Sequence, residues 1–168
     1  MPRLFALDQN FPEPIVAALN DYIVEAELVP IRDIDPQLAE IDDWEVLLAL
    51  HHHDRDWDGL ITTDRGMLTQ ARELAVLRQT NLTLVVAHEA GHDPIKATGL
   101  LFTHLGWICR ETTPAAPQIW HLVARNRPGV DPWEFIEKIA AHTNQTPEAV
   151  WQEGQLSAAD LAQDPLEL

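Results

Sequence analysis

Asp8 and Asp64 each close an apolar run that reads as a β-strand, and their spacing suggests metal chemistry. Arg3-Leu-Phe-Ala-Leu7 stops at Asp8-Gln-Asn10. Leu60-Ile-Thr-Thr63, behind Gly59, stops at Asp64, after which Met67, Leu68, Ala71, Leu74 and Ala75 follow at helical spacing. Strands of one parallel sheet would send both carboxylates to the same edge, where open α/β sheets bind ligands. Two carboxylates a few ångströms apart repel each other, so the pairing is stable mainly with a cation bound. Oxygen ligands of this kind suit Mg²⁺ or Mn²⁺, which keep waters and hold phosphate. The structural alternative is that Asp64, or Thr63 beside it, caps the following helix. Asn10 either orients a ligand or caps a helix, and the cap is the simpler role.

A third acid comes with the helix that starts near residue 42. Asp42 and Glu45 form a D-x-x-E capping box, which accounts for both without chemistry. Asp43 falls outside the box. Its place in a first helical turn is favourable to the dipole, so a structural role and a role at the site both stand.

The elements that must carry these acids alternate. Strands are expected over Arg3–Leu7, Val24–Ile31, the run before Asp64 and Leu82–Ala87. Helices are expected after Pro12, from Asp42 to about His53, and from Asp64 to about Gln79, with Arg32–Glu40 a polar connection. That alternation predicts right-handed crossovers and an α/β, three-layer fold: a mostly parallel sheet with helices on both faces. Residues 1–95 are read as this core. Residues 96–168 are read as a mainly helical extension, with helices from Pro94, Asp131 and Thr146, a possible strand over Ile119–Ala124, and an acidic tail from Ser157 that frays. The apolar residues of the last two long helices, Trp133, Phe135, Ile136, Ile139, Val150 and Trp151, need cover, which predicts a homodimer or a docked helical lid.

Further polar groups are candidates of lower rank. His88, Glu89, His92 and Asp93 leave the fourth strand on the proposed edge and could add a ligand or a proton carrier. His51-His-His53 points in three directions on a regular helix, so the run is a poor zinc site. Asp54, Asp56 and Asp58 enter the third strand from its opposite end and read as a solvated loop.

A formal charge of −16 argues against a broad basic surface for nucleic-acid backbones, although a bound metal can reverse the local field. Cys109 is the only cysteine and sits in an apolar run, so a buried thiol is expected rather than a disulfide framework. No stretch approaches the roughly 18 apolar residues of a membrane span. The N-terminus shows no charged-then-apolar leader, and the reading is a cytoplasmic protein.

Residues 4–95 resemble the PIN-like nuclease domains, specifically the compact bacterial type akin to VapC-type toxins. Leu7-Asp-Gln-Asn10 is similar to the "LDEN" motif of strand one, Asp43-Trp-Glu-Val-Leu-Leu-Ala49 to the family's "D-x-x-I-hydrophobic" helix, and Ile61-Thr-Thr-Asp-Arg65 to its "hydrophobic-T-x-D-x" strand end. The resemblance implies that Asp8, Asp43 and Asp64 are catalytic, metal-binding acids that activate water to hydrolyse an RNA phosphodiester. It also implies Mg²⁺ or Mn²⁺ as cofactor, RNA as substrate, and an antitoxin protein as partner if the chain belongs to a toxin–antitoxin pair. Accessory roles fall to Asn10, Glu45, Thr63, His88 and Asp93. The chain departs from the pattern in two places. Arg32–Ile41 is too short for the helix pair that carries a further glutamate in many members, and Gly66 stands where a second aspartate often follows the one matching Asp64. The departures keep open a second reading, a catalytically inactive PIN-like module that binds a protein.

Overall fold

The computed structural model describes residues 1–90, 93–124 and 128–167, with the side chains of 13–15, 19 and 88 outside the description. Five strands form one all-parallel sheet: β1 (Arg3–Leu7), β2 (Ala26–Pro30), β3 (Gly59–Thr62), β4 (Thr83–Val86) and β5 (Gln118–His121). Their order is β2-β1-β3-β4-β5. The chain therefore steps from β1 to one side and returns to the other, and the topological switch point lies between β1 and β3.

The sheet separates two apolar layers. Phe5, Leu7, Ile61, Val85 and Trp120 face one layer, with Val16 of helix α1 (Glu13–Asn20) and Leu101 and Leu105 of α5 (Pro94–Glu111). Leu4, Ala6, Leu60, Leu84 and Ile119 face the other, which helices α3 (Asp43–His52), α4 (Ala71–Thr80), α6 (Trp133–Thr143) and α7 (Pro147–Gly154) cover. Alternate residues of each buried strand serve opposite layers, as the period of two requires, and near-continuous apolar runs are the result. β3 and β4 run so close that a Cβ built on Gly59 would lie 1.8 Å from the Thr83 carbonyl oxygen. Among the described residues, no helix is long and apolar enough to cross a membrane.

Several expected elements differ in detail. The polar connection 32–40 folds into a short helix, α2 (Ile31–Ile34), and a 3₁₀ turn over Pro36–Ala39, anchored by buried Ile31 and Leu38. The helix expected from Asp64 to Gln79 is two pieces, a 3₁₀ turn over Arg65–Thr69 and then α4, because Gln70 is extended between them. The C-terminal tail docks rather than frays. It forms a last short helix, α8 (Ala158–Leu161), and Leu156, Leu161 and Leu166 pack on the core. Gln79 and Leu156 exchange hydrogen bonds at 3.2 Å, and His52 Nε2 meets the Leu161 carbonyl at 2.9 Å. Trp133 and Trp151 pack against each other inside the chain, with the Arg78 guanidinium over both rings.

Candidate functional site

Asp8 and Asp64 emerge at the carboxyl edge on either side of the switch point. The parallel register sets Leu7 beside Ile61, and Asp8 N–H donates to the Ile61 carbonyl at 2.9 Å. That bond brings Asp8 level with Thr62, whose side chain is fully buried. Thr62 Oγ1 donates to Asp8 Oδ2 at 2.7 Å and accepts from Asp64 N–H at 2.9 Å, tying the two strand ends together. Asn10 Nδ2 donates to the same Asp8 oxygen at 3.1 Å, and Gln9 N–H donates to Asp8 Oδ1 at 2.7 Å. The Asp8 carboxylate is thus aimed by three donors. Asp64 caps the 3₁₀ turn, its Oδ1 accepting from Gly66 N–H at 2.6 Å.

Asp43 opens α3. The capping box closes around it, with Asp42 N–H donating to Glu45 Oε2 at 3.0 Å, so Glu45 is engaged structurally. Burial, and after it the nearby charges of Asp8, Asp64, Glu73 and Asp42, together push the Asp43 carboxyl up to about 6. A carboxyl raised this far sits in the range where it can give or take a proton near neutrality. Glu73, in the first turn of α4, is also raised by burial. Asp42 and Asp64 add to that rise, against the opposing pull of its own backbone N–H and of Arg72. Among the described residues, none of Asp8, Asp43, Asp64 and Glu73 has an ion pair.

The donor set is all oxygen, which fits Mg²⁺ or Mn²⁺ in chemistry. Among the described residues, however, no group of three or more His, Cys, Asp or Glu side chains converges closely enough to hold a metal ion. The acids are electrostatic neighbours and not a closed ligand cage.

The other candidates scatter. Thr63 is half-buried at the strand end between Thr62 and Asp64. Asp93 caps α5, accepting from the backbone N–H groups of Ile95 at 3.0 Å and Lys96 at 3.1 Å. Glu89 accepts from Ala124 N–H at 3.3 Å. The His88 side chain and His92 lie outside the described residues. The three consecutive histidines diverge: His52 reaches Leu161, and His53 Nδ1 accepts from Arg55 N–H at 3.0 Å. Cys109 is buried, and burial pushes its thiol up to about 12, so it is no nucleophile near neutral pH.

Sequence reasoning passed over two residues. Thr62 was hidden beside Thr63, and only the strand register distinguishes them. Glu73 reads as an ordinary first-turn acid of α4, and its one signal is that α4 follows directly from the Asp64 turn.

No protein-family model matches this chain, and neither a curated protein nor a solved structure matches it.

Proposed function

We propose that the chain is a Mg²⁺- or Mn²⁺-dependent ribonuclease of the PIN-like class that hydrolyses RNA phosphodiester bonds. The observation that carries this reading is that Asp8 and Asp64, joined through Thr62 at the switch point, both act on the Asp43 carboxyl, and none of the three has an ion-pair partner among the described residues. Three neighbouring acids without an ion-pair partner are a costly arrangement, and a divalent cation relieves it. When bound, the cation would lower the pKa of a water molecule and polarise the phosphodiester. Asp8, Asp43 and Asp64 would hold it. Thr62, Asn10 and the Gln9 backbone keep the Asp8 carboxylate aimed. Asp43, pushed up to about 6 by burial and by the neighbouring acids, would give up its proton as the cation binds.

A second reading, a non-catalytic PIN-like module that binds protein, is favoured by the charge of −16 and by the absence of a closed three-acid cage among the described residues. Two measurements on the full chain separate the readings: thermal unfolding with Mn²⁺ against chelator, and cleavage of a fluorogenic single-stranded RNA. For a site of about 10–100 µM affinity, 1 mM Mn²⁺ stabilises the fold by about 1.4–2.7 kcal/mol. At this chain length that raises Tm by several degrees. The nuclease reading requires that shift, RNA cleavage, and loss of both in Asp8→Asn. A chain that neither shifts nor cleaves is the module.

A further inference from the structure

We propose that the pocket between α3, α4 and the C-terminal tail binds a guanine base of the RNA, placed beside the scissile phosphate by Trp44 and Arg72. The inference rests on the nuclease reading only for the parent molecule of that base. The pocket has a volume of about 340 Å³. That is at the small end of the roughly 300–1,000 Å³ of ligand sites and suits a single nucleotide. α3 and α4 both begin at the carboxyl edge of the sheet, and each gives the pocket a first-turn residue next to an acid. Trp44 follows Asp43, and Arg72 precedes Glu73. The tail supplies the remaining wall. A Cβ built on Gly154 would lie 2.4 Å from the Ala71 carbonyl oxygen, so α7 ends directly against the start of α4. His52 Nε2 then meets the Leu161 carbonyl at 2.9 Å, and the chain beyond it brings Asp164 and Pro165 to the pocket.

The lining selects a flat heterocycle. Leu48 and Leu156 are buried at its floor, with half-buried Trp44 and Pro165 beside them. The Arg72 guanidinium lies 5.5 Å from the centre of the Trp44 ring. Indole rings and guanidinium planes are the surfaces on which unpaired RNA bases stack. Three carboxylates share the pocket with Arg72, yet each is engaged by a group close to it in the chain. Glu45 accepts from Asp42 N–H at 3.0 Å, Asp160 from Ser157 Oγ at 2.6 Å, and Asp164 from Leu166 N–H at 2.9 Å. Arg72 has no ion pair among the described residues.

The two edges of the sheet differ in how they treat cations. Arg3, Arg55, Arg78 and Arg110 stand at the amino edge, and all four are paired with carboxylates. At the carboxyl edge Arg65, beside Asp64, Arg72, and Lys96 in the first turn of α5 have no ion pair among the described residues. In a chain of net charge −16, cations left over at one edge point to an outside anion there, and a nucleotide phosphate supplies it. The carboxylates in turn choose the base. Each keeps further acceptor capacity. Guanine presents N1–H and its 2-amino group side by side, a match for two carboxylate oxygens, whereas uracil presents one N–H between two carbonyl oxygens that a carboxylate repels.

The test follows the indole N–H resonances of the ¹⁵N-labelled full chain in chelator, where no cleavage competes. Trp44→Phe identifies the Trp44 signal by its disappearance. Guanosine monophosphate at millimolar concentration is expected to move that signal saturably, with uridine monophosphate about tenfold weaker and inorganic phosphate without effect. Arg72→Ala is expected to bind guanosine monophosphate about tenfold more weakly. The comparison of nucleotides on the parent chain stands even where a variant fails to fold. A Trp44 signal that guanosine monophosphate leaves in place overturns the proposal, as do equal affinities for the two nucleotides or an equal response to phosphate alone. Cleavage of RNA with Mn²⁺ separates this outcome from the nuclease reading. Nucleotide binding without cleavage keeps the pocket and removes the nuclease, and cleavage with an unmoved Trp44 signal does the reverse.

Discussion

Asp58 and Asp64 flank the same strand, β3, and meet opposite electrostatic conditions. At the amino end, Asp58 Oδ1 accepts from Arg3 Nη1 and Oδ2 from Leu4 N–H, both at 2.8 Å, while Arg3 Nη2 reaches the Thr112 carbonyl at 2.7 Å. That acid is matched on both oxygens and ties β1, β3 and the end of α5 together. At the carboxyl end, Asp64 has a capping bond and three acidic neighbours, and none of the four has an ion pair among the described residues. Residue type alone does not separate a structural aspartate from a candidate ligand, and the counter-charge does. It also corrects the reading of Asp58 as part of a solvated loop.

The comparison predicts its largest effect at the matched end. Asp58→Ala leaves the half-buried Arg3 guanidinium short of its partner and the Leu4 N–H without its acceptor. Groups stripped of a charged hydrogen-bond partner cost about 2–3 kcal/mol. Urea unfolding of the variant is expected to show a loss of that size. A loss below about 0.5 kcal/mol would place Asp58 among ordinary surface acids and erase the contrast between the two ends.

How much of this was legible in the sequence follows from what is local. β1 has the expected bounds, Arg3–Leu7, and the Asp42–Glu45 box opens α3, because an apolar run and a four-residue cap carry their own instructions. The segment 32–40 looked like polar connection because Ile34 and Leu38 stand apart among polar residues, and only the folded core that receives them together with Ile31 shows them as anchors. The break at Gln70 has no local marker, since Met67 and Leu68 keep helical spacing on either a 3₁₀ or an α path. At the site, Asp8 and Asp64 could be set on one edge from strand order alone. Thr62 could not be told from Thr63 without the register, and Glu73 could not be added without knowing how α4 packs against α3.

A smaller effect is expected from pH at the unmatched end. Asp43 is raised from 3.8 to about 6, first by burial and then by Asp8 and Asp64. A carboxyl with a raised folded pKa keeps its proton where the unfolded chain has released it. Its contribution to stability is therefore present below about 4, falls between about 4 and 6, and is gone above. The unscreened shift corresponds to about 3 kcal/mol, which partial solvent contact reduces to about 1–2 kcal/mol. In chelator, Asp43→Asn is expected to gain on the parent by that amount as pH rises through this window. Parallel pH profiles would instead show that the Asp43 carboxyl is not raised on folding.

The smallest effect is the most diagnostic. Asp64→Asn keeps the capping oxygen for Gly66 N–H, and asparagine caps as well as aspartate does. It also keeps the backbone N–H that donates to Thr62. What it removes is one negative charge facing Asp43 and Glu73. If Asp64 were only a cap, the substitution would leave stability unchanged in chelator and would leave any Mn²⁺ response intact. If repulsion among the acids is the dominant feature of this edge, the metal-free variant is as stable as the parent or up to about 1 kcal/mol more so, and the Mn²⁺-induced rise in Tm disappears. The two signs are opposite, since removing a ligand stabilises the empty protein and abolishes the stabilisation of the loaded one. Asp58→Asn, measured beside it, controls for charge: at the matched end the same loss of one negative charge is expected to destabilise the chain and to leave the Mn²⁺ response untouched. Equal behaviour of the two asparagine variants would show that the ends of β3 do not differ in the way their hydrogen bonds imply.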